Sequence, residues 1–174
     1  MVRLKSRYIL FEILYPNSRD PVDQNQQLDA SLKRDILIRH HQASPSDITI
    51  KTIIQEIRRS LKLNFGDYGS GKAGSLLQVK YFSNMTSTGI IRCHREDCDL
   101  VTNALVLMNK ISNTENIIFN PVKISGTIKK IEEYAIRRSK KLVIIMQQEE
   151  KSSIDDFRNI SDDEEREDLC SQIY

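Results

Sequence analysis

The sequence predicts an α+β domain in which helices pack against an antiparallel β-sheet. Short runs rich in Val, Ile, Tyr, Phe and Thr alternate along the chain with runs whose apolar residues recur at helical spacing. Two strand-like runs, at residues 75–82 and 88–95, are separated only by the polar break SNMTS, which is typical of a β-hairpin. Paired strands combined with amphipathic helices favour a sheet that is covered by helices.

The first predicted strand covers residues 3–15, RLKSRYILFEILY. Because side chains alternate between the two faces of a strand, the cations Arg3, Lys5 and Arg7 share a face with the apolar residues that follow at every second position. The other face also carries apolar residues, among them Tyr8 and Leu10. We therefore expect this strand to be covered on both sides.

Residues 16–47 have the composition of a loop-rich insertion, with apolar spacing for only one short helix at residues 28–36. A longer helix is predicted to start at Ser44, because Ser44 can cap it, Pro45 suits its first turn and Asp47 suits the positive end of its dipole. It should end at Gly66. The residues expected on its buried face are Ile50, Ile53, Ile54, Ile57 and Leu61.

A second helix is predicted to begin at Asp97, directly after the hairpin, with Leu100, Val101, Ala104, Leu105, Met108 and Ile111 on its buried face. Residues 117–126 then form a strand, and Pro121 within it predicts an edge position or a bulge. A last helix follows at residues 128–146, with Ile128, Ile131, Ala135, Leu142 and Ile145 inward.

This order of elements is the split βαβ, ferredoxin-like (RRM-like) pattern. It predicts an antiparallel sheet with two helices on one face and an extra C-terminal helix. The apolar residues on the second face need a cover, which the last helix, a protein partner or a nucleic acid could supply.

Charge divides the chain into two parts. Residues 148–174 hold 3 basic and 10 acidic residues, a net of −7, so the remaining 23 basic and 14 acidic residues give residues 1–147 a net of +9. We interpret residues 1–147 as one domain, including the insertion, and residues 148–174 as an acidic, disordered tail. A basic body favours a polyanion-binding surface, although the same cations could merely keep the surface soluble. One hypothesis is that the tail screens the basic body until RNA displaces it.

Cysteine usage and hydropathy indicate an intracellular protein. The 3 cysteines are an odd number, no secretory signal stands at the N-terminus, and no apolar run approaches the length of a membrane span. Reduced thiols are therefore expected.

Three local motifs suggest chemistry only weakly. Residues 66–72, GDYGSGK, match the start of a phosphate-binding loop, but Ala73 replaces the required hydroxyl and the segment follows a helix, so a flexible Gly-rich loop is the preferred interpretation. Cys93, His94 and Cys98 resemble half a zinc site, yet neighbours on a strand point to opposite faces, so Cys93 is expected in the core and Cys98 at a helix start. The acidic set at residues 96–99 suits the start of a helix without any cation. We therefore predict no catalytic residue, no metal ligand and no cofactor bound by the protein itself.

The candidate functional residues are cations that recur at structured positions and could neutralise RNA phosphates. Stacking of single-stranded bases is not expected, since GIIRCHR stands where an RNP1 motif would carry aromatic residues. The predicted RNA-binding set is Arg92, His94 and Arg95, followed by Arg3, Lys5, Arg7, Arg58, Arg59, Lys129, Lys130, Arg137 and Arg138.

Long stretches of the chain resemble a known family in the same order. They are RYILFEI, EIRRSLKLNFGDYGS, LLQVKYFSNMTSTGIIRCHREDCDLV and NPVKISGTIKKIEEYAIRRS. They are similar to the fungal members of the Pop-five family, the small ferredoxin-like protein subunits of ribonuclease P and ribonuclease MRP. The resemblance covers most of residues 1–141, but it includes neither residues 16–42 nor the part of the chain after Leu142.

The resemblance implies a non-catalytic subunit of a nuclear and nucleolar ribonucleoprotein endonuclease. It implies that the RNA of the complex holds the catalytic Mg²⁺ ions, and that the protein pairs with a TIM-barrel-like subunit and braces the ribonuclease P or MRP RNA. The substrates of the complex would be precursor tRNA, which loses its 5′ leader, and precursor rRNA. Two other classes stay open, namely a stand-alone protein-interaction module and a small phosphoryl or acyl-phosphate enzyme that uses His94 and Arg92.

Overall fold

The computed structural model describes residues 5–16 and 40–147, with side chains up to residue 144. The predictions for Arg3, for the short helix at residues 28–36, for Ile145 and for the acidic tail lie outside these described parts of the chain.

A four-stranded antiparallel sheet with the strand order β2-β3-β1-β6 forms the centre of the fold. Its strands are β1 (Ser6–Leu14), β2 (Gln78–Ser83), β3 (Thr88–His94) and β6 (Ile118–Ser125). The helices are α1 (Ile50–Gly74), α2 (Cys98–Val106) and α3 (Ile128–Gln147). A small separate hairpin, β4 (Lys110–Ile111) and β5 (Thr114–Glu115), was not predicted. The order of the main strands and helices confirms the ferredoxin-like α+β fold.

The first face of the sheet holds the main core, packed under α1 and α2. Ile9, Phe11 and Ile13 alternate along β1 toward this face, and the ring of Phe11 lies 6.0 Å from that of Phe119 and 6.3 Å from that of Phe82. The residues predicted on one face of α2 are buried here, apart from the half-buried Leu100. The helix is shorter than predicted, because it ends at Val106, so Met108 lies beyond it and Ile111 lies on β4.

The second face is partly covered by α3. The last helix was one of the three covers that the sequence allowed for this face. Ile131 of α3 is fully buried between Leu10 of β1 and Ile90 of β3. The helix packs on β1 and β6, and β2 lies at the far edge of the sheet. The expectation that β1 is covered on both sides is therefore confirmed.

A buried carboxylate links α3 to the sheet. Glu12 of β1 is 3% exposed and accepts hydrogen bonds from Arg138 Nη2 of α3 at 2.8 Å and from Asn120 Nδ2 of β6 at 2.7 Å. His41 Nε2 lies 3.6 Å from its other oxygen. Burial alone raises the pKa of Glu12, but the contacts with His41, Arg138 and Asn120 outweigh burial and lower it from 4.5.

The start of α1 differs from the prediction. The helix begins at Ile50, where Thr49 and Thr52 form a reciprocal capping box. Ser44 is buried instead, because its hydroxyl accepts a hydrogen bond from Tyr15 Oη at 2.8 Å and donates to Ser87 Oγ at 2.9 Å. Since its hydroxyl is used in this buried network, Ser44 is not the helix cap.

The Gly-rich segment after Phe65 is helical, so its interpretation as a flexible loop is wrong. Gly66 breaks the first helical stretch with φ 65° and ψ −162°, as predicted, but the chain resumes a helix that runs to Gly74. Ala73 within this second stretch is buried in the core, which explains why the segment is ordered as a helix.

The remaining predictions concern β6 and the buried faces of the helices. β6 is an edge strand, and a register shift between Leu10 and Phe11 of β1 places a bulge beside Pro121, which confirms both expectations for this proline. Ile50 and Ile128 were expected inward but are 40% and 36% exposed, because each lies in the first turn of its helix, where the chain enters from the surface.

Two glycine substitutions test the described structure, one at Gly89 in the packed strand β3 and one at Gly71 in the open second stretch of α1. A Cβ at Gly89 would lie 2.5 Å from Phe11 Cζ, so Gly89→Ala should lower the free energy of unfolding by about 1–3 kcal/mol. Gly71 is helical with nothing within 4 Å of an added Cβ, so Gly71→Ala should raise it by about 0.4–1 kcal/mol. Urea unfolding of both variants checks the pair, and a neutral Gly89→Ala would contradict the described packing.

Removal of one partner of the buried Glu12–Arg138 pair should destabilise the fold. Arg138→Ala leaves a buried carboxylate without its charged partner, so we expect a loss of about 3 kcal/mol in the free energy of unfolding. The double variant Glu12→Gln with Arg138→Met removes both charges and should recover most of that loss. Equal instability of the single and double variants would show that the ion pair is not the cause.

The same contact predicts a pH dependence. Because the pKa of Glu12 in the folded state lies below 4.5, its contribution is complete above pH 4.5 and is lost as the pH falls through the folded-state value. Acid unfolding of Glu12→Gln should therefore be less steep than that of the wild-type protein in this range.

Candidate nucleic-acid interface

The β-sheet brings several of the predicted cations to one of its ends. β1 pairs with β3 in a register that sets Ser6 opposite His94 and Tyr8 opposite Arg92. The pairing continues past the strands, since the backbone N–H of Arg95 donates to the carbonyl of Lys5 at 3.0 Å. The start of β1 and the end of β3 therefore form one group of neighbours, which we call the cationic end: Lys5, Arg7, Arg92, His94 and Arg95.

Arg92 is held in place at this end. Its Nε and Nη2 atoms donate to Ser6 Oγ at 3.2 and 3.0 Å. Since a guanidinium has five N–H donors, it can bind a phosphate while it keeps this anchor. The arrangement reduces the conformational entropy that Arg92 would lose on binding an anion.

Arg7 reaches the same end from the first face, where it lies opposite Cys93. Its Nη1 atom donates to the carbonyl oxygen of Ser6 at 3.5 Å. If residue 126 had a Cβ, that atom would lie 3.1 Å from Arg7 Nη1. A glycine between β6 and α3 therefore leaves room for the guanidinium.

The first turn of α3 adds two further cations. β6 ends at Ser125, which lies opposite Tyr8 near the start of β1, and α3 starts three residues later. Lys129 and Lys130 are exposed there. Lys129 Nζ is 3.9 Å from Glu133, an exposed pair that costs little to exchange for a phosphate contact.

Other predicted residues lie elsewhere. Arg58 and Arg59 are exposed on α1, which packs on the first face, and Arg59 pairs with Glu56 at 3.7 Å. Arg137 is exposed further along α3. Arg138 is engaged by Glu12 inside the fold, so the structure gives it an internal contact. The described members of the predicted set therefore occupy four places: the cationic end with Lys129 and Lys130 nearby, a separate surface on α1, an exposed position further along α3 at Arg137, and the interior contact of Arg138.

The zinc-like residues are arranged as the sequence predicted. Cys93 lies on the first face and is buried in the core, His94 lies on the second face, and Cys98 is the first residue of α2. A hydrogen bond between the two thiols, followed by burial, raises the pKa of Cys93, and the same bond lowers the pKa of Cys98 to about 7. No group of three or more His, Cys, Asp or Glu residues that could hold a metal ion occurs in the described parts of the chain.

Asp97 occupies the cap position of α2 without forming a cap hydrogen bond. Its buried Oδ1 atom instead lies 3.8 Å from Lys72 Nζ. This ion pair joins the end of α1 to the start of α2, so the acidic residue has a structural contact.

Sequence reasoning missed Lys80 and Tyr81 of β2. Val79 and Phe82 both pack against the first-face core, and the register shifts between Val79 and Tyr81. The extra residue of the bulge therefore places both Lys80 and Tyr81 on the second face. The three-residue spacing from Val79 to Phe82 interrupts the strict alternation of a strand and could have indicated the bulge.

No helix within residues 5–16 and 40–147 is long and apolar enough to cross a membrane.

The fold and the cationic end define a small ferredoxin-like protein with a surface suited to polyanions. A family model described as the Rpp14/Pop5 family matches residues 7–136, and the chain belongs to this family. The resemblance found in the sequence is thereby confirmed.

Curated relatives agree with this membership. The chain is 66% identical to "Ribonuclease P/MRP protein subunit POP5" of Saccharomyces cerevisiae over 82% of this chain and 79% of the relative. It is 42% identical to the protein of the same name from Schizosaccharomyces pombe, over 80% and 89%, and 24% identical to that from Homo sapiens, over 81% and 74%. The higher identities to the yeast proteins support the fungal type.

A search of solved structures finds a chain in the "Cryo-EM structure of yeast Ribonuclease MRP". It superposes with a TM-score of 0.42 at 15% identity, over 80% of this chain and 98% of that one.

Proposed function

We propose that this chain is a non-catalytic protein subunit of ribonuclease P and ribonuclease MRP. The observation that carries the proposal is its membership of the Rpp14/Pop5 family, with a relative named as such a subunit at 66% identity. In this role the chain binds and braces the RNA of each complex while the 5′ leader is removed from precursor tRNA or precursor rRNA is cut.

The cationic end supports contact with RNA. It joins Arg92, which Ser6 anchors, to the exposed Lys5 and Arg95, with Lys129 and Lys130 at the nearby start of α3. Such a group neutralises several phosphates at once and releases their counterions. It recognises the backbone and the shape of a folded RNA more than its base sequence.

The RNA supplies the catalytic metal in this proposal. Mg²⁺ ions held by the RNA activate the attacking water and stabilise the leaving oxygen. The residues of this chain position the RNA, and a TIM-barrel-like subunit of the complex is the proposed protein partner. The proposed location is the nucleus and nucleolus.

Affinity purification of the tagged full chain from cell extract at mild salt tests the proposal. Sequencing of the bound RNA and mass analysis of the bound proteins should recover both ribonuclease P and MRP RNAs together with a TIM-barrel-like protein. The purified chain alone should not cleave precursor tRNA. Recovery of proteins without either RNA would overturn the RNA-bracing role and leave a protein-interaction module.

Removal of cations at the cationic end should reduce the salt dependence of RNA binding. For the double variant Arg92→Ala with Arg95→Ala, each lost phosphate contact lowers the slope of log Kd against log salt by about 0.7–0.9. Lys110 is also exposed, but it lies on β4 and pairs with Glu115, so Lys110→Ala is the matched control and should leave the slope unchanged. Filter binding to transcribed ribonuclease P RNA over a salt series measures both slopes, and equal slopes would contradict the assigned surface.

A further inference from the structure

The part of the second face that borders β2 presents a distinct set of side chains. Gln78 lies opposite Arg92, and Tyr81 lies opposite Ile90. The bulge adds Lys80 to the same face. We call this group, Gln78, Lys80, Tyr81 and Arg92, the open strip.

Tyr81 is the exposed aromatic residue of this strip. Its side chain is 52% exposed, whereas Ile90 opposite it is only 5% exposed under the sheet cover that α3 provides. The apolar surface of the open strip is thus essentially one aromatic ring on an edge strand, and its neighbours are an amide and two cations. Protein-binding patches are typically broader and depleted in charge at their centre.

We propose that the open strip binds one unpaired nucleotide of a folded RNA, with its base stacked on the Tyr81 ring and its phosphate held by Lys80 and Arg92. Aromatic rings with adjacent cations are the usual means by which proteins hold single nucleotides. The sequence predicted no stacking because β3 lacks the aromatic residues of an RNP1 motif, but Tyr81 supplies a ring from the neighbouring strand β2. A base inside a duplex is stacked on both sides and is not available to the ring, so the ligand is a bulged or looped-out base. This inference rests on the proposed RNA-binding function and deepens it.

The order of side chains along the strip places an aromatic ring next to a fixed cation. Tyr81 lies opposite Ile90, and Arg92 is the next residue of β3 on the same face. A base on the ring can therefore keep its own phosphate near the guanidinium, which Ser6 holds in place. Gln78 offers an amide donor and acceptor to the edge of the base.

The test compares two RNA duplexes, each annealed from two separate strands so that neither has a terminal loop, one fully paired and one with a single bulged adenine. Each is bound to the full chain at one salt concentration, and the wild-type protein should prefer the bulged duplex. Tyr81→Ala should weaken binding of the bulged duplex by about 5- to 150-fold and leave the paired duplex unchanged. Tyr81→Phe keeps the ring and should keep the preference.

Tyr68→Ala is the matched control, since Tyr68 is 74% exposed on α1, which packs on the opposite face of the sheet, and should change neither affinity. Equal effects of Tyr68→Ala and Tyr81→Ala, or a wild-type protein without any preference, would overturn the inference. Salt-dependent binding of the paired duplex would still support the proposed function. Loss of a protein partner from the purified complex on Tyr81→Ala, with RNA binding unchanged, would assign the strip to a protein and also overturn it. Absence of any RNA binding would overturn both proposals.

Discussion

The two-sided burial of β1 is the constraint on which the rest of this fold depends. Ile9, Phe11 and Ile13 pack under α1 and α2, while Leu10 and Glu12 face α3. A central strand buried on both faces fixes the register of its neighbours, because a slip by one residue would place Glu12 in the main core and a phenylalanine against Arg138. The buried carboxylate therefore defines register as well as holding α3.

The proposed RNA-binding surfaces follow from this register. The pairing of β1 with β3 brings Lys5, Arg7, Arg92 and Arg95 to one end of the sheet, and Ser6 then anchors Arg92. Because Glu12 and Leu10 hold α3 over β1 and β6, the edge at β2 keeps Tyr81 exposed. The placement of α3 therefore covers one part of the second face and leaves the open strip exposed beside the cationic end.

Much of this arrangement could be predicted from the sequence, since strand alternation, helical periodicity and the hairpin break are local signals. The order of elements, the edge position of Pro121 and the opposite faces of Cys93 and His94 all followed from them. The start of α1 could not be predicted in this way. The hydroxyl of Ser44 is used in a buried network with Tyr15 and Ser87 that only the tertiary fold creates, so Ser44 does not cap the helix. The pairing of Arg138 with Glu12 was hidden for the same reason, as the two residues are 126 positions apart.

The central claim is that the cationic end and the open strip face RNA in the assembled complex. Ultraviolet cross-linking of the affinity-purified ribonucleoprotein, followed by mass spectrometry of peptide–nucleotide adducts, tests this claim most directly. The account predicts adducts on peptides from residues 78–95, with Tyr81 among the modified positions. Adducts confined to α1, or none within residues 78–95, would contradict it.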